Sequence, residues 1–474
     1  MSIDLSLDRI QTLSTLLPRY TRSTVHIAGT NGKGSVSAFV SSILKSTNPP
    51  LSVGRFNSPH LVTICDCITL NDHHVTPGVY EKTRSSIEDI AKKNALEISN
   101  FELLTLTALQ IFESAQVDIV VMEVGMGGRL DATNVIPDRC IAVSALTAVD
   151  LDHQAFLGNT IAAITREKAA IARKGKPFLL GKQKHPEVME VCREVVNQAG
   201  GVFLEAVRVD KREWDTHIDG PSPGPCSFSS SNFVAPAPQP VSIDLPCFTD
   251  TVYTRLPLYG DHQLDNLGLA ASIISALVSH PTCSYLNMKG RVTQESVIQG
   301  IEQTKWPGRL SFHTVDSSGP EKLIVLADGA HNPASSMTLG RYIRDLLRGS
   351  HSKAITLTYI LGLSHSPPKT PLQTLSPLLP PDAGDEDVRV KVRIAALNFS
   401  PPEGMPWVKS VPPSEIKDAV GSLCPDADLW IGQDNSRQDL PAALKWAAGV
   451  NGEHLVILAG SLYLVADFYR LLSH

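Results

Sequence analysis

The sequence predicts two α/β domains, and three observations predict them. Short apolar runs rich in Val and Ile alternate with helical patterns along the chain. The alternation falls into two blocks that meet near "TKWPGRL", residues 304–310. At 474 residues the chain is also too long for one ordinary core. The expected division is 1–303, a linker at 304–309, and 310–474.

In the first block, "TVHIA" precedes a helix whose Val36, Phe39, Val40, Ile43 and Leu44 share one face. "FELLTLTALQIFESA" and "QLDNLGLAASIISALV" read as buried helices, and "VDIVVMEVG" and "IAVSALTAV" as interior parallel strands. The second block runs "KLIVLADGA", a helix from Pro333, "KAITLTYILG", "VRIAALNF", a helix from Ser414, "HLVILAGS" and a terminal helix "LYLVADFYRLL". Residues 217–240 and 364–387 are dense in Pro, Ser and Gly. That composition reads as two surface insertions that contribute no core.

Hydrophobic content of 42% with 19% charged residues describes a soluble globular protein, and a net charge of -6 argues against a nucleic-acid partner. No apolar run reaches the ~18 residues of a membrane span. Eight scattered cysteines without a CxxC pair suggest reduced thiols, with Cys65 and Cys67 pointing the same way on a strand. "MSIDLSLDRI" resembles neither a signal nor a transit peptide, so the expected compartment is the cytoplasm.

Four motifs carry chemistry. "HIAGTNGKGS" places Gly29, Gly32 and Gly34 between a strand and a helix, where backbone N–H groups and the helix dipole meet an anion. Thr30, Asn31, Gly32, Lys33, Gly34 and Ser35 form the candidate phosphate loop, with Lys33 as a point charge and the Ser35 hydroxyl suited to Mg²⁺. It departs from the G-x-x-x-x-G-K-[ST] pattern, because Ile27 stands where that pattern needs glycine. "MEVGMGGRLDAT" sets Glu123 at a strand end, as a metal ligand or a solvated carboxylate. "LDHQAFLGNT" and "ITREKAAIA" carry His153, a ligand or a structural histidine, and Lys168, which on its own reads as solvated. "ADGAHNPAS" offers Asp328 and His331, as ribose ligand or helix-capping turn.

In combination, GTNGKGS, SPHL, EVGMGGRLDATN, LDHxxxLGNT, REKA, GDHQxxN, WPGR and DGAHNP resemble the folylpolyglutamate synthase and dihydrofolate synthase branch of the Mur ligase family. The resemblance covers nearly all the chain outside the two insertions. It implies an N-terminal P-loop ATPase domain and a C-terminal Rossmann-like domain that closes over the site. It also implies ATP-dependent amide ligation through an acyl phosphate. Lys33 and neighbouring amides would hold phosphates. Ser35, Ser58 and Glu123 would bind one Mg²⁺ and His153 a second, with Lys168 carbamylated to orient it. Asn266, Arg309, Asp328 and His331 would contact ATP. Ala170 stands where relatives have glycine, a change a helix tolerates. Family habit suggests a monomer.

Which acceptor the ligase takes is read from the same resemblance. "SIDLSLDRI" looks like a dihydropteroate-contacting segment, placing Ile3, Asp4 and Leu5 at the pterin, with Phe101, Glu102, Leu130, Asp131 and Ala132 as further walls. "ICDCITLND" lacks the basic run that polyglutamating enzymes carry after SPHL, and "NFSPPEGMPW" resembles fungal dihydrofolate synthases. Because the resemblance starts at residue 2, the expectation is that there is no mitochondrial presequence. The expected substrates are 7,8-dihydropteroate, L-glutamate and ATP. The alternatives are a polyglutamating or bifunctional enzyme, or a non-catalytic nucleotide-binding module.

Overall fold

A computed structural model describes residues 6–316, 322–349, 354–365, 367, 369–383, 388–402, 408–433, 436–450 and 452–472. Ile3, Asp4 and Leu5 lie outside the described residues. The chain divides into two compact units. The first comprises Met1–Trp214, Gln239–Pro257 and Asp261–Lys305, and the second Asp215–Pro238, Leu258–Gly260 and Trp306–His474.

The first unit holds an eight-stranded sheet. Its strands are β1 (Ser23–Ala28), β2 (Val53–Phe56), β3 (Ile68–Leu70), β4 (His73–His74), β5 (Ile119–Glu123), β6 (Ile141–Leu146), β7 (Pro177–Leu180) and β8 (Val202–Glu205). Their order is β4-β3-β2-β5-β1-β6-β7-β8. From β2 to β8 all neighbours are parallel, and only the β2–β3 and β3–β4 pairs at one edge run antiparallel. β5 and β6 are buried along their whole length, as strands covered on both faces must be. β1 lies between β5 and β6, so successive crossovers from it run in opposite directions. The crevice at the C-terminal end of β1 is therefore a topological switch point, where α/β sheets bind ligands. The helix Lys33–Lys45 leaves this point, packed against the helix His262–Ser279. A small antiparallel sheet of β9 (Val209–Lys211), β10 (Gln239–Ile243) and β11 (Val252–Leu256) completes the unit.

The second unit contains β12 (Ser311–Asp316), β13 (Lys322–Ala327), β14 (Ala354–Leu361), β15 (Arg389–Ala396), β16 (Asp428–Ile431) and β17 (Glu453–Ala459), ordered β12-β13-β17-β14-β15-β16. Only β12 runs antiparallel to its neighbour. Its core gathers Leu357, Tyr359, Ile394, Ile457 and Leu339.

Three expectations need correction. The stretch 217–240 is not coreless. Phe228 is fully buried in the second unit's core, stacked on Phe312 at 6.1 Å. Its amide donates to the Glu453 carboxylate at 2.6 Å and the Ser227 hydroxyl does so at 3.0 Å. The stretch 364–387 likewise forms the short helix Pro371–Leu375 and buries Leu375, Leu378 and Leu379. A few apolar residues suffice when the neighbouring surface supplies the rest of the core. Finally, Cys65 and Cys67 occupy a 3₁₀ turn, Ile64–Cys67, and not a strand. The Thr63–Asp66 capping box starts that turn, and Asp66 also accepts the Val62 amide at 2.6 Å. Neither cysteine is in a disulfide.

Candidate active site

The phosphate-loop glycines are required by their surroundings. Gly29 has φ +148°, and a Cβ there would stand 1.8 Å from Thr147 Oγ1. Gly32 has φ +95°, and its Cβ would stand 2.3 Å from Asn266 Oδ1. Gly32 also occupies the N-cap of Lys33–Lys45 and supplies no capping side chain to the first-turn amides of that helix. The amides of Thr30 and Asn31 are already engaged, both donating to the Ala148 carbonyl. Anion-binding capacity therefore falls to the turn from Gly32 onward.

Lys33 and Glu123 meet over this turn. Glu123 ends β5 and pairs in register with Ile27 of β1. Its carboxylate is buried 3.8 Å from Lys33 Nζ. It also accepts a 2.7 Å hydrogen bond from Asn57 Nδ2, which donates equally to Ser37 Oγ. Lys33 Nζ donates to the carbonyls of Gly29 (3.2 Å) and Thr30 (3.3 Å). Lys168 Nζ donates to the same Gly29 carbonyl at 3.0 Å. Lys168 is buried, not solvated as its sequence context alone suggests. Burial first, and the Lys33 cation second, lower its pKa to about 7, partly opposed by Asp152 and Asp131. It therefore carries a substantial neutral amine fraction near neutral pH.

Ser35 Oγ accepts from Gln263 Nε2 at 3.3 Å, and Gln263 Oε1 accepts from Asn266 Nδ2 at 2.9 Å. Ser58 follows Asn57 just beyond the C-terminal end of β2. His153 caps the short helix Gln154–Leu157 in a left-handed conformation (φ 51°), half exposed and 3.7 Å from Asp152. The Ala170 backbone has φ -67°, which any residue adopts, so the position makes no demand for glycine.

The proposed acceptor walls lie along the loop after β5 and on the helix Asn100–Ser114. A Cβ on Gly125 would stand 2.2 Å from the Phe101 ring, so ring and loop are in close contact. Glu102 completes a capping box with Ser99 and lies 3.4 Å from Arg9. Leu130 is half-buried, and Asp131 and Ala132 are buried. The Asp131 carboxylate accepts from the Met126 amide (2.7 Å), the Thr133 amide (3.0 Å) and the Thr133 hydroxyl (2.6 Å).

In the second unit, Asp328 accepts from the amides of Leu310 and Ala330, each at 2.9 Å, and burial raises its pKa. Arg309 packs on Gly329, where a Cβ would stand 2.6 Å from Nη1. His331 Nδ1 lies 2.8 Å from the Gly329 carbonyl. Asn57, Gln263, His26 and Thr133 were not singled out by sequence reasoning. Asn57 directly precedes SPHL and Gln263 lies inside GDHQxxN, so adjacency to a motif is the signal that could have found them.

No cluster of three His, Cys, Asp or Glu side chains suited to a metal occurs among the described residues. The donors at the turn are instead the Ser35 hydroxyl and the Glu123 carboxylate. Hard oxygen donors of this kind fit Mg²⁺ or Mn²⁺ and not a thiolate-bound metal.

A glycine turn at a switch point, with a lysine and a carboxylate converging on it, defines an α/β enzyme of the nucleotide-dependent class. Comparison with known proteins resolves that class further. A family model described as "Dihydrofolate synthetase, C-terminal domain" matches residues 311–471. The chain is 32% identical to the dihydrofolate synthetase of Saccharomyces cerevisiae, over 99% of this chain and 98% of the relative. It is 30% identical to a probable dihydrofolate synthetase of Schizosaccharomyces pombe, over 100% and 99%. Among solved structures, Mycobacterium tuberculosis folylpolyglutamate synthase complexed with ADP and AMPPCP superposes with a TM-score of 0.75 at 26% identity, covering 99% of this chain and 96% of that one. The chain belongs to the dihydrofolate synthetase family, the ATP-dependent ligases that attach glutamate in folate synthesis.

Proposed function

We propose that the chain joins L-glutamate to 7,8-dihydropteroate to give 7,8-dihydrofolate. The observation that carries the chemistry is the Lys33–Glu123 pairing over the glycine turn. The acceptor carboxylate attacks the γ-phosphorus of ATP, ADP leaves, and an acyl phosphate results. The glutamate amine then attacks the acyl carbon and phosphate departs. Two anions must approach in the first step, and Lys33 with the first-turn amides offsets their repulsion.

Ser35, Ser58 and Glu123 would hold one divalent cation and His153 a second. When bound, these cations supply charge neutralisation at the phosphates. A lysine with its pKa near 7 suits carbamylation. The neutral Lys168 amine adds to carbon dioxide and releases a proton, replacing a buried cation with an anion able to face a metal. Thr30, Asn31, Gly32, Gly34, Asn266, Arg309, Asp328 and His331 are proposed for ATP. Phe101, Glu102, Leu130, Asp131 and Ala132 are proposed for the acceptor, together with Ile3, Asp4 and Leu5 outside the described residues. A cytoplasmic monomer is part of the same proposal. Among the described residues no helix is long and apolar enough to cross a membrane.

The test supplies purified protein with Mg-ATP and glutamate, adding 7,8-dihydropteroate to one sample and tetrahydrofolate to another. Product in the dihydropteroate sample alone is expected. Glutamate chains growing on tetrahydrofolate would reassign the acceptor, and ADP release in neither sample would overturn the ligase reading.

A further inference from the structure

A fully buried histidine stands between Val25 and Ile27 of an interior strand. His26 lies in β1, three residues before Gly29, and is completely inaccessible. A valine would fill such a position without the cost of desolvating a polar ring. Its Nε2 lies 2.8 Å from Thr133 Oγ1, and the Thr133 hydroxyl donates its single proton to Asp131 Oδ1 at 2.6 Å. That hydroxyl can then only accept from the imidazole, so Nε2 carries the proton. Nδ1 is a bare acceptor, buried and without a partner. Burial lowers the His26 pKa to about 3, so the ring stays neutral throughout the physiological range, and with Asp131 ionised the donor direction is fixed.

The result is a one-directional chain from the His26 N–H through the Thr133 O–H to the Asp131 carboxylate. The same carboxylate ties down the Met126 and Thr133 amides, which closes the loop between them into a bracket. That loop carries Leu130, Asp131 and Ala132, the proposed acceptor walls.

We infer that His26 is a positioning residue for the acceptor subsite: from the strand that delivers the phosphate turn, it locks the Asp131 bracket through the Thr133 hydroxyl. This inference rests on the reading that residues 130–132 contact dihydropteroate. One strand thereby sets two subsites, the phosphate turn by its C-terminal glycines and the acceptor wall by its buried histidine.

The test is steady-state kinetics on the full chain with each of the three substrates varied in turn. In His26→Leu and in Thr133→Val the KM for dihydropteroate should rise about tenfold, the effect of one lost hydrogen bond in a charged network. The KM values for ATP and glutamate should hold within about twofold, and His26→Gln, which can restore a donor, should recover most of the loss. Asp131→Asn calibrates the underlying reading. If it leaves the acceptor KM unchanged, the wall assignment fails and the inference with it. If it raises that KM while His26→Leu and Thr133→Val do not, the inference alone is overturned. A parallel rise in all three KM values, or no recovery in His26→Gln, would mark His26 as merely structural and also overturn it. Should His26→Leu fail to fold, Thr133→Val carries the test, since it trades a hydroxyl for a methyl of the same shape.

Discussion

Residues 29–35 and residues 217–240 are both rich in residues that break regular structure, yet they do opposite things. The first stretch is a tight turn at a sheet's switch point, and its geometry follows from its own glycines: Gly29 and Gly32 take φ values and close approaches that a side chain would block. The second is anchored by partners far away in the sequence. Phe228 stacks on Phe312, Phe233 lies 5.9 Å from the same ring, and Tyr259 meets it edge-on at 5.5 Å. The Glu453 carboxylate collects the Ser227 hydroxyl and the Phe228 amide. Local composition announces a turn whose requirements are local. It is silent about a strap held by residues roughly 80 to 230 positions away.

The largest effect expected from this contrast is chemical. Lys33→Ala should lower kcat/KM about a thousandfold or more, because Lys33 spans the glycine turn and Glu123, donating to the Gly29 carbonyl and pairing with the carboxylate. ADP release dependent on both acceptor and glutamate measures it, and a near-normal rate would sink the phosphate assignment. Stability should also fall, because the lysine's two hydrogen bonds to carbonyls are lost and the buried Glu123 carboxylate loses its cation. Phe228→Ala should act first on stability, costing about 3–5 kcal/mol for a fully buried aromatic. Hydrogen exchange in β14 and β17 against exchange in β5 and β6 reads that loss by unit. Protection falling equally in both sets would show that the strap is not specific to the second unit's core.

The same division explains what was legible in the sequence. Strand and helix identities followed from periodicity, because β5, β6 and the helix Lys33–Lys45 are buried in the pattern their apolar residues dictate. The lysine, the carboxylate and the required glycines sit in motifs that can be read one by one. Asn57 and Gln263 were missed because they act through other side chains, Asn57 on Glu123 and Gln263 between Ser35 and Asn266. His26 was missed for a related reason: its partner Thr133 is 107 residues away, and within "TVHIA" it looks like one polar residue in a strand. Asp328 carries a further lesson. Both its oxygens accept backbone amides, which an isolated strand-end Asp does not reveal.

The smallest effect concerns Lys168, where local and distant causes meet. It belongs to a helix remote in sequence from the turn, yet donates to the Gly29 carbonyl beside Lys33. Its folded pKa of about 7 lies below the ordinary lysine value of 10.5, so between those values the unfolded chain binds more protons than the folded one. Stability therefore rises with pH across that window, and the destabilisation is fully present only below the folded pKa. From pH 7 to pH 8 the Lys168 contribution amounts to about 1 kcal/mol. Urea unfolding in carbon-dioxide-free buffer at the two pH values, compared with Lys168→Met, isolates it. The wild-type gain should vanish in the variant. Repeating the measurement with bicarbonate should flatten the wild-type slope, because a carbamate no longer titrates as an amine. An identical slope in the variant and the wild type would show that Lys168 is not the group whose proton is displaced by burial beside the turn.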